Sequence, residues 1–223
     1  MRPSREAVRS FLERARIRLS DHQLDQLWRF HEMLRARNAA DDLTRLVGFE
    51  SIVVKHYVDS MIVGDLFPLP PRLLDLGTGG GFPGLPLKIR YPELSLVLVE
   101  ARERRTAFLA DVVRELGLQD VEVVKLKANS RNLAIPVDAV ITRAVERISA
   151  TILRTSNCLG PGGLLLFPKG PSVEPEIEEA LAQHGRAIEL LLDRPYSLPG
   201  TPYQRRLVVI RRRDDRPPGS ERA

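Results

Sequence analysis

Apolar positions recur at two different spacings along this chain, and the change falls near residue 67. Before it the spacing is helical. Residues 5–18 read as a short helix, and Ser20-x-x-Gln23 forms a capping box that opens a second. In that second helix Leu24, Leu27, Trp28, Met33 and Leu34 share one broad apolar face, and the pattern runs out near Asn38. A polar segment, NAADDLTRLVG, separates it from residues 50–64, where Ile52, Val53, Tyr57, Met61 and Ile62 again fall near helical spacing. FPLPPR then breaks the pattern, because proline cannot sit in a helix interior. Residues 1–66 are therefore expected to form an N-terminal helical cap.

Beyond the prolines, short apolar runs alternate with helical patterns. Strands are expected at Leu73–Leu76, Leu94–Glu100, Val121–Leu126, Ala139–Thr142, Gly163–Phe167, Ile188–Leu192 and Arg206–Ile210. Helices are expected at Leu85–Arg90, Arg102–Leu116 (closed by Gly117), Ile148–Leu159 and Glu174–Gln183. Such alternation predicts an α/β fold with a doubly wound, mostly parallel sheet over residues 67–213. The tail DDRPPGSERA, residues 214–223, is polar with Pro and Gly and is expected to be disordered.

Composition narrows the class. Hydrophobic residues make up 43% and charged residues 28%, as in soluble globular proteins. No apolar stretch approaches the roughly 20 residues of a membrane span, and the first residues, MRPSREAVRSF, lack the apolar core of a secretory signal. Cys158 is the sole cysteine, so neither an internal disulfide nor a cysteine-based zinc site is available; a cytoplasmic protein without metal or membrane is expected. The net charge of +5 is carried almost wholly by arginine, with lysine only at 55, 88, 125, 127 and 169. Arginine matches phosphate bidentately, so the balance leans toward a polyanion such as nucleic acid, the other reading being a compositional bias with solvated arginines. Nothing in the pattern calls for an obligate dimer, and a monomer is expected.

The segment with the most chemistry is LLDLGTGGGFPG, residues 73–84. A glycine turn between a strand and a helix lets the backbone approach a cofactor at the helix N-terminus. Gly79-x-Gly81-x-x-Gly84 formally matches a dinucleotide fingerprint, with Glu100 21 residues after Gly79. Pro83 falls inside that match, however, and Asp75 ends the first strand two residues before Gly77. A carboxylate there would oppose a pyrophosphate but suits the ammonium and sulfonium of S-adenosyl-L-methionine. Strand–Asp–x–Gly–x–Gly followed by an acid ending the second strand is the arrangement of methyltransferases using that cofactor. Glu100 would accept hydrogen bonds from ribose hydroxyls.

The loop continues as GTGGGFPGLPL, residues 77–87, and other segments follow in order: Lys55-His56-Tyr57-Val58-Asp59-Ser60, Arg104-Arg105-x-x-Phe108-Leu109, Thr142-Arg143-Ala144, then Gly162-Gly163 with Lys169-Gly170. Together they resemble the bacterial 16S ribosomal RNA guanine-N7 methyltransferase family, also called glucose-inhibited division protein B, over about residues 20–212. The resemblance implies a Rossmann-like class I fold with a seven-stranded sheet and N-terminal helical extension. It implies methylation of N7 of one guanine, position 527, in 16S rRNA or the small ribosomal subunit. It implies cofactor contacts at Asp75, Gly77, Gly79, Phe82, Glu100, Ala128, Asn129 and Arg143. Two departures stand out. Lys127-Ala128-Asn129 replaces the family's usual Arg-x-Glu, and Arg37-Asn38 is separated by AADD from Leu43-Thr44, where the family has Trp-Asn-Leu-Thr.

Guanine N7 has an in-plane lone pair and no proton, so it can attack the sulfonium methyl directly and needs no general base. Positioning carries the chemistry. Arg143 and Lys169, each just past a strand end, are the candidate catalytic residues, to hold O6 or flanking phosphates, with Arg143 open to a cofactor contact instead. Lys55, Arg104, Arg105 and Arg147 head the candidate RNA contacts, with Arg29, Arg35, Arg37, Arg205 and Arg206 behind them. His56 and Asp59, one helical turn apart, could pair within the cap. Two other readings stay open at this point: a methyltransferase for another RNA or a small molecule, and a non-catalytic ribosome-assembly protein.

Overall fold

A computed structural model describes residues 2–213 apart from 130, 144 and 145; the expected disordered tail and Ala144 lie outside the described residues. The sheet has seven strands: β1 (Arg72–Leu76), β2 (Ser95–Glu100), β3 (Val121–Lys125), β4 (Val137–Ile141), β5 (Leu159–Lys169), β6 (Ile188–Ser197) and β7 (Gln204–Arg212). Their order is β3-β2-β1-β4-β5-β7-β6. The first five run parallel, and β7 is antiparallel to both β5 and β6. This is the doubly wound, mostly parallel, seven-stranded sheet expected from the sequence.

Alternation along each strand divides the core between the two faces. Leu73, Leu96, Leu98 and Ile141 join one apolar cluster, while Leu74, Val97, Val99 and Val140 join the other. The second face is covered by α8 (Ile148–Arg154) and α9 (Glu174–His184), through Ile148, Ile177 and Ala180. The first is covered by α6 (Gly84–Arg90) and α7 (Glu103–Glu115). Packed against these are the N-terminal helices α1 (Arg5–Arg14) and α2 (Asp21–Asp41) and the segment from 49 to 66. Leu27, Phe30, Leu34, Tyr57 and Met61 of those helices belong to the same cluster as Leu85 and Phe108. Residues 5–66 therefore share one core with the sheet.

Local chemistry sets several boundaries. Ser20 and Gln23 complete the capping box of α2, and Gln23 Nε2 also donates to the carbonyls of Ile89 and Arg90 at 2.9 and 3.0 Å. One side chain thus starts α2 and closes α6. The segment from 49 to 66 is not one regular helix: α3 (Phe49–Ile52) leads into a π-helix (Val53–Val58), then α4 (Asp59–Met61) and α5 (Val63–Leu66). α8 ends at Arg154 rather than near 159, because the chain turns there and β5 begins at Leu159. No helix among the described residues is long and apolar enough to cross a membrane.

Candidate active site

The parallel strands deliver their carboxyl ends to one edge, where a cleft forms beside the switch between β1 and β4. The turn after β1 requires three glycines with positive φ: Gly77 (70°), Gly79 (59°) and Gly81 (98°). Asp75 lies beneath this turn with no solvent exposure. Its Oδ2 accepts from Thr78 Oγ1 at 2.7 Å and from the Gly84 amide at 2.8 Å, so it caps α6. Its Oδ1 has no partner among the described residues. Burial pushes the carboxyl up to about 6, against the hydrogen bonds from Thr78 and Gly84 and the charge of Arg143.

Glu100 ends β2 and closes the turn from the other side. Its Oε1 accepts from the amides of Ala101 and Arg102 at 2.8 and 2.9 Å, and its Oε2 accepts from the Gly79 amide at 3.1 Å. A carboxylate oxygen has two lone pairs, so Oε2 keeps capacity for a second donor such as a ribose hydroxyl. Two acids therefore flank the glycine turn, and one holds a buried unpaired oxygen. That arrangement fits the cationic S-adenosyl-L-methionine and disfavours a pyrophosphate.

Two cavities meet here. One, of about 530 Å³, is bordered by Gly77, Glu100, Arg105, Ala128, Arg143 and Arg154. The other, of about 430 Å³, is bordered by Lys55, His56, Phe82, Arg143, Lys169 and Arg205. Gly77 and Arg143 line both. A further cavity of about 690 Å³ is lined by residues of the α1–α2 connection, none of them at a strand end.

Arg143, two residues past β4, is the hub between the two. Its Nη1 donates to the Lys55 carbonyl at 2.9 Å and lies 3.4 Å from Asp59 Oδ2; its Nη2 donates to His56 Nδ1 at 2.7 Å. Its guanidinium carbon stands 5.6 Å from the Phe82 ring centre. Asp59, 1% exposed, also accepts from Tyr196 Oη at 2.8 Å and faces Arg205 Nε at 3.3 Å. His56 and Asp59 therefore do not pair with each other; both grip Arg143.

The remaining expected residues divide clearly. Phe82 is buried, and its ring stacks on His56. Lys169 is held by Glu146 O at 2.8 Å and Glu176 Oε2 at 2.9 Å, although it borders the smaller cavity. Asn129 is exposed, and its Oδ1 accepts from the amides of Arg131 and Asn132, a local turn that occupies that oxygen. The wall at that point is instead Ala128 with Arg154, whose guanidinium reaches the Ala128 carbonyl and pairs with Glu146. Lys55 and Arg105 line the cavities, whereas among the described residues Arg104 and Arg147 line neither. Arg104 donates to the Ala40 carbonyl, and Arg147 pairs with Glu179. Arg29, Arg37 and Arg206 are likewise tied to carboxylates.

The AADD segment is absorbed by lengthening α2 to Asp41, with Asp42 left-handed at its end. Asn38 and Thr44 still meet: Asn38 Nδ2 donates to Thr44 O at 3.0 Å, and the Thr44 amide donates to Asn38 Oδ1 at 2.8 Å. Asp42 pairs with Arg102 and Arg105 at the cofactor side. Arg154 and Tyr196 were not marked in the sequence, because nothing local distinguishes a residue whose partner, Ala128 or Asp59, lies tens of positions away.

The family model described as GidB, rRNA small subunit methyltransferase G, matches residues 23–191. A ribosomal RNA small subunit methyltransferase G 2 from Syntrophobacter fumaroxidans is 44% identical over 94% of this chain, but the chain spans only 42% of that protein's length. A ribosomal RNA small subunit methyltransferase G from Carboxydothermus hydrogenoformans is 32% identical, over 94% of this chain and 92% of its own. Among solved structures, a SAM dependent methyltransferase from Aquifex aeolicus superposes with a TM-score of 0.54 at 19% identity, covering 71% of this chain and 92% of its own, and shares the fold. By family model and by identity to curated relatives, the chain belongs to the GidB family, the rRNA small subunit methyltransferase G enzymes.

Proposed function

We propose that this protein methylates N7 of a guanine in 16S ribosomal RNA, position 527 in the usual numbering, using S-adenosyl-L-methionine. The observation that carries the reading is the pair of cavities meeting at Gly77 and Arg143, one suited to a nucleoside cofactor and one lined by cations. Its relatives' names supply the ribosomal RNA. When bound, the cofactor supplies a methyl group on a sulfonium. Gly77 and Gly79 would allow it close backbone approach, Glu100 would accept from its ribose hydroxyls, and Asp75 would supply negative charge from beneath. Ala128 would border its base, with Asn129 facing solvent.

Among the described residues the acceptor cavity contains none poised as a general base, and guanine N7 asks for none. Arg143 is held by Asp59, His56 and the Lys55 carbonyl, so it forms a fixed wall between cofactor and acceptor. That preorganisation keeps nucleophile and methyl in line. Lys55, Lys169 and Arg205 grip phosphates and so position the RNA without reading its sequence. The target guanine leaves its stack to enter the cavity. The enzyme acts as a cytoplasmic monomer on the RNA or on the small subunit.

The test is methyl transfer from tritiated cofactor to small subunits from a strain deleted for this gene, followed by mapping of the label. Label on N7 of a single 16S guanine is expected. Cofactor binding without label on subunits or free 16S RNA refutes the ribosomal acceptor.

A further inference from the structure

His56 is fixed in the acceptor cavity in a way its neighbours explain only in part. Its imidazole lies 4.1 Å from the Phe82 ring centre and 11° from parallel. Its Nδ1 accepts from Arg143 Nη2 at 2.7 Å; a guanidinium only donates, so Nδ1 carries no proton. The ring proton is therefore on Nε2, which donates to Thr44 Oγ1 at 2.7 Å. Thr44 Oγ1 is itself held by the Leu46 amide at 3.1 Å. Both nitrogens are engaged in the plane of the ring, so His56 has no lone pair free to take a proton from a substrate or to ligate a metal. Burial and the adjacent Arg143 charge hold it down to about 3, so it is neutral. With Phe82 on one face and both nitrogens taken, what His56 offers the cavity is its second face.

We propose, resting on the acceptor reading above, that this second face of His56, backed by Phe82, is the platform on which the acceptor purine stacks. A flat neutral ring locked at both edges matches a splayed base, and base–aromatic stacking tolerates any purine. Neutrality matters chemically. Methylation at N7 leaves the purine cationic, so an imidazolium beneath it would repel the product, while a neutral π-stack attracts a developing cation. Lys55, Lys169 and Arg205, which border the cavity, then face the phosphates flanking the base. The locked ring is thus a positioning element for the acceptor base, supported from behind by a residue of the glycine loop.

Two variants separate stacking from anchoring. His56→Phe keeps a flat ring but loses both in-plane hydrogen bonds. His56→Asn keeps an acceptor for Arg143 but loses the ring. Each is first measured for cofactor affinity, which both should leave within about threefold, and for thermal midpoint. The initial rate on small subunits is then read as kcat and KM. The platform predicts that His56→Asn loses on the order of tenfold to a hundredfold in kcat/KM for RNA, while His56→Phe keeps most of it. Equal losses in the two, or the reverse order, overturn it.

A second readout is independent of methyl transfer to subunits. The fluorescence of 7-methylguanosine 5′-monophosphate is quenched on aromatic stacking, so it is titrated against protein saturated with S-adenosylhomocysteine. Quenching by wild type and His56→Phe but not by His56→Asn supports the platform even where subunits take no label, in which case only the ribosomal acceptor fails. Methylated subunits with quenching unaffected by His56→Asn overturn the platform and leave the proposed function standing. No label and no quenching in wild type overturn both.

Discussion

The buried Asp75 carboxylate ties cofactor affinity to pH, and the size of the effect follows from its surroundings. A solvated aspartate titrates at 3.8; burial moves Asp75 up to about 6. Because the folded value lies above the unfolded one, folding takes up a proton between these two, and the protein loses stability as pH rises through that window. The difference is worth about 3 kcal/mol at neutral pH. A cation bound above the turn favours the ionised form, so cofactor binding releases the proton. Affinity is therefore full above pH 6 and falls about tenfold per pH unit below it, or roughly tenfold between pH 7 and pH 5. Asp75→Asn removes the charge yet keeps an oxygen for Thr78 and Gly84. It should raise the stability of the cofactor-free protein at pH 7 by up to about 3 kcal/mol while weakening cofactor binding and flattening its pH dependence. Calorimetric titration with S-adenosyl-L-methionine at pH 5, 6 and 7, with urea unfolding of both proteins, measures each part. Wild-type affinity that is equal at pH 5 and 7, or an Asp75→Asn variant with the wild-type slope, refutes the reasoning.

Three further outcomes are expected. Asp59→Asn leaves Arg143 and Arg205 without their shared buried counter-charge and should cost about 3 kcal/mol in urea unfolding, against about 1 kcal/mol for Tyr196→Phe; the reverse order contradicts Asp59 as the anchor. Gly81→Ala places a Cβ on the Leu85 side chain at a φ of 98°, so cofactor affinity should fall on the order of tenfold or more by calorimetry, and wild-type affinity would show that the turn yields freely. His31, packed beside Trp28 and hydrogen-bonded to Tyr57, is depressed to about 4 chiefly by burial. Its contribution is present above pH 6.5 and is lost as pH falls from there toward 4, by up to about 3 kcal/mol, so His31→Asn should be less acid-sensitive than wild type in urea midpoints at pH 5 and 7.

What could be read in advance depended on the distance over which each feature is encoded. The central strands β2, β4 and β5 were legible because buried parallel strands read as apolar runs, and the α7 face because Phe108, Leu109 and Val112 repeat at helical spacing. The ends of β6 and β7 were not, because Asp193, Arg194, Ser197, Gln204, Arg205, Arg211 and Arg212 are polar or charged and are held in the sheet by backbone pairing. The glycine turn and Glu100 were legible as local sequence. The support of Arg143 was not: Asp59, Tyr196 and Arg205 lie on three elements, joined only once β7 has entered the sheet between β5 and β6. Asn129 shows the opposite case: its motif position points to a cofactor contact, while its side-chain oxygen is engaged locally, because asparagine competes for nearby backbone amides.

The π-helical turn at Val53–Val58 holds one residue more than an ordinary turn would. A single deletion in α2 or α7 rotates everything beyond it by about 100°. The same deletion inside the wide turn is absorbed by regularising it, with Phe49 and Ile52 before it and Asp59 after it kept on their faces. What shifts is the turn itself, which carries Lys55 and His56 at the edge of the acceptor cavity. The extra residue thus belongs to the cavity and not to the core, and losing it would reshape the one while leaving the other in register.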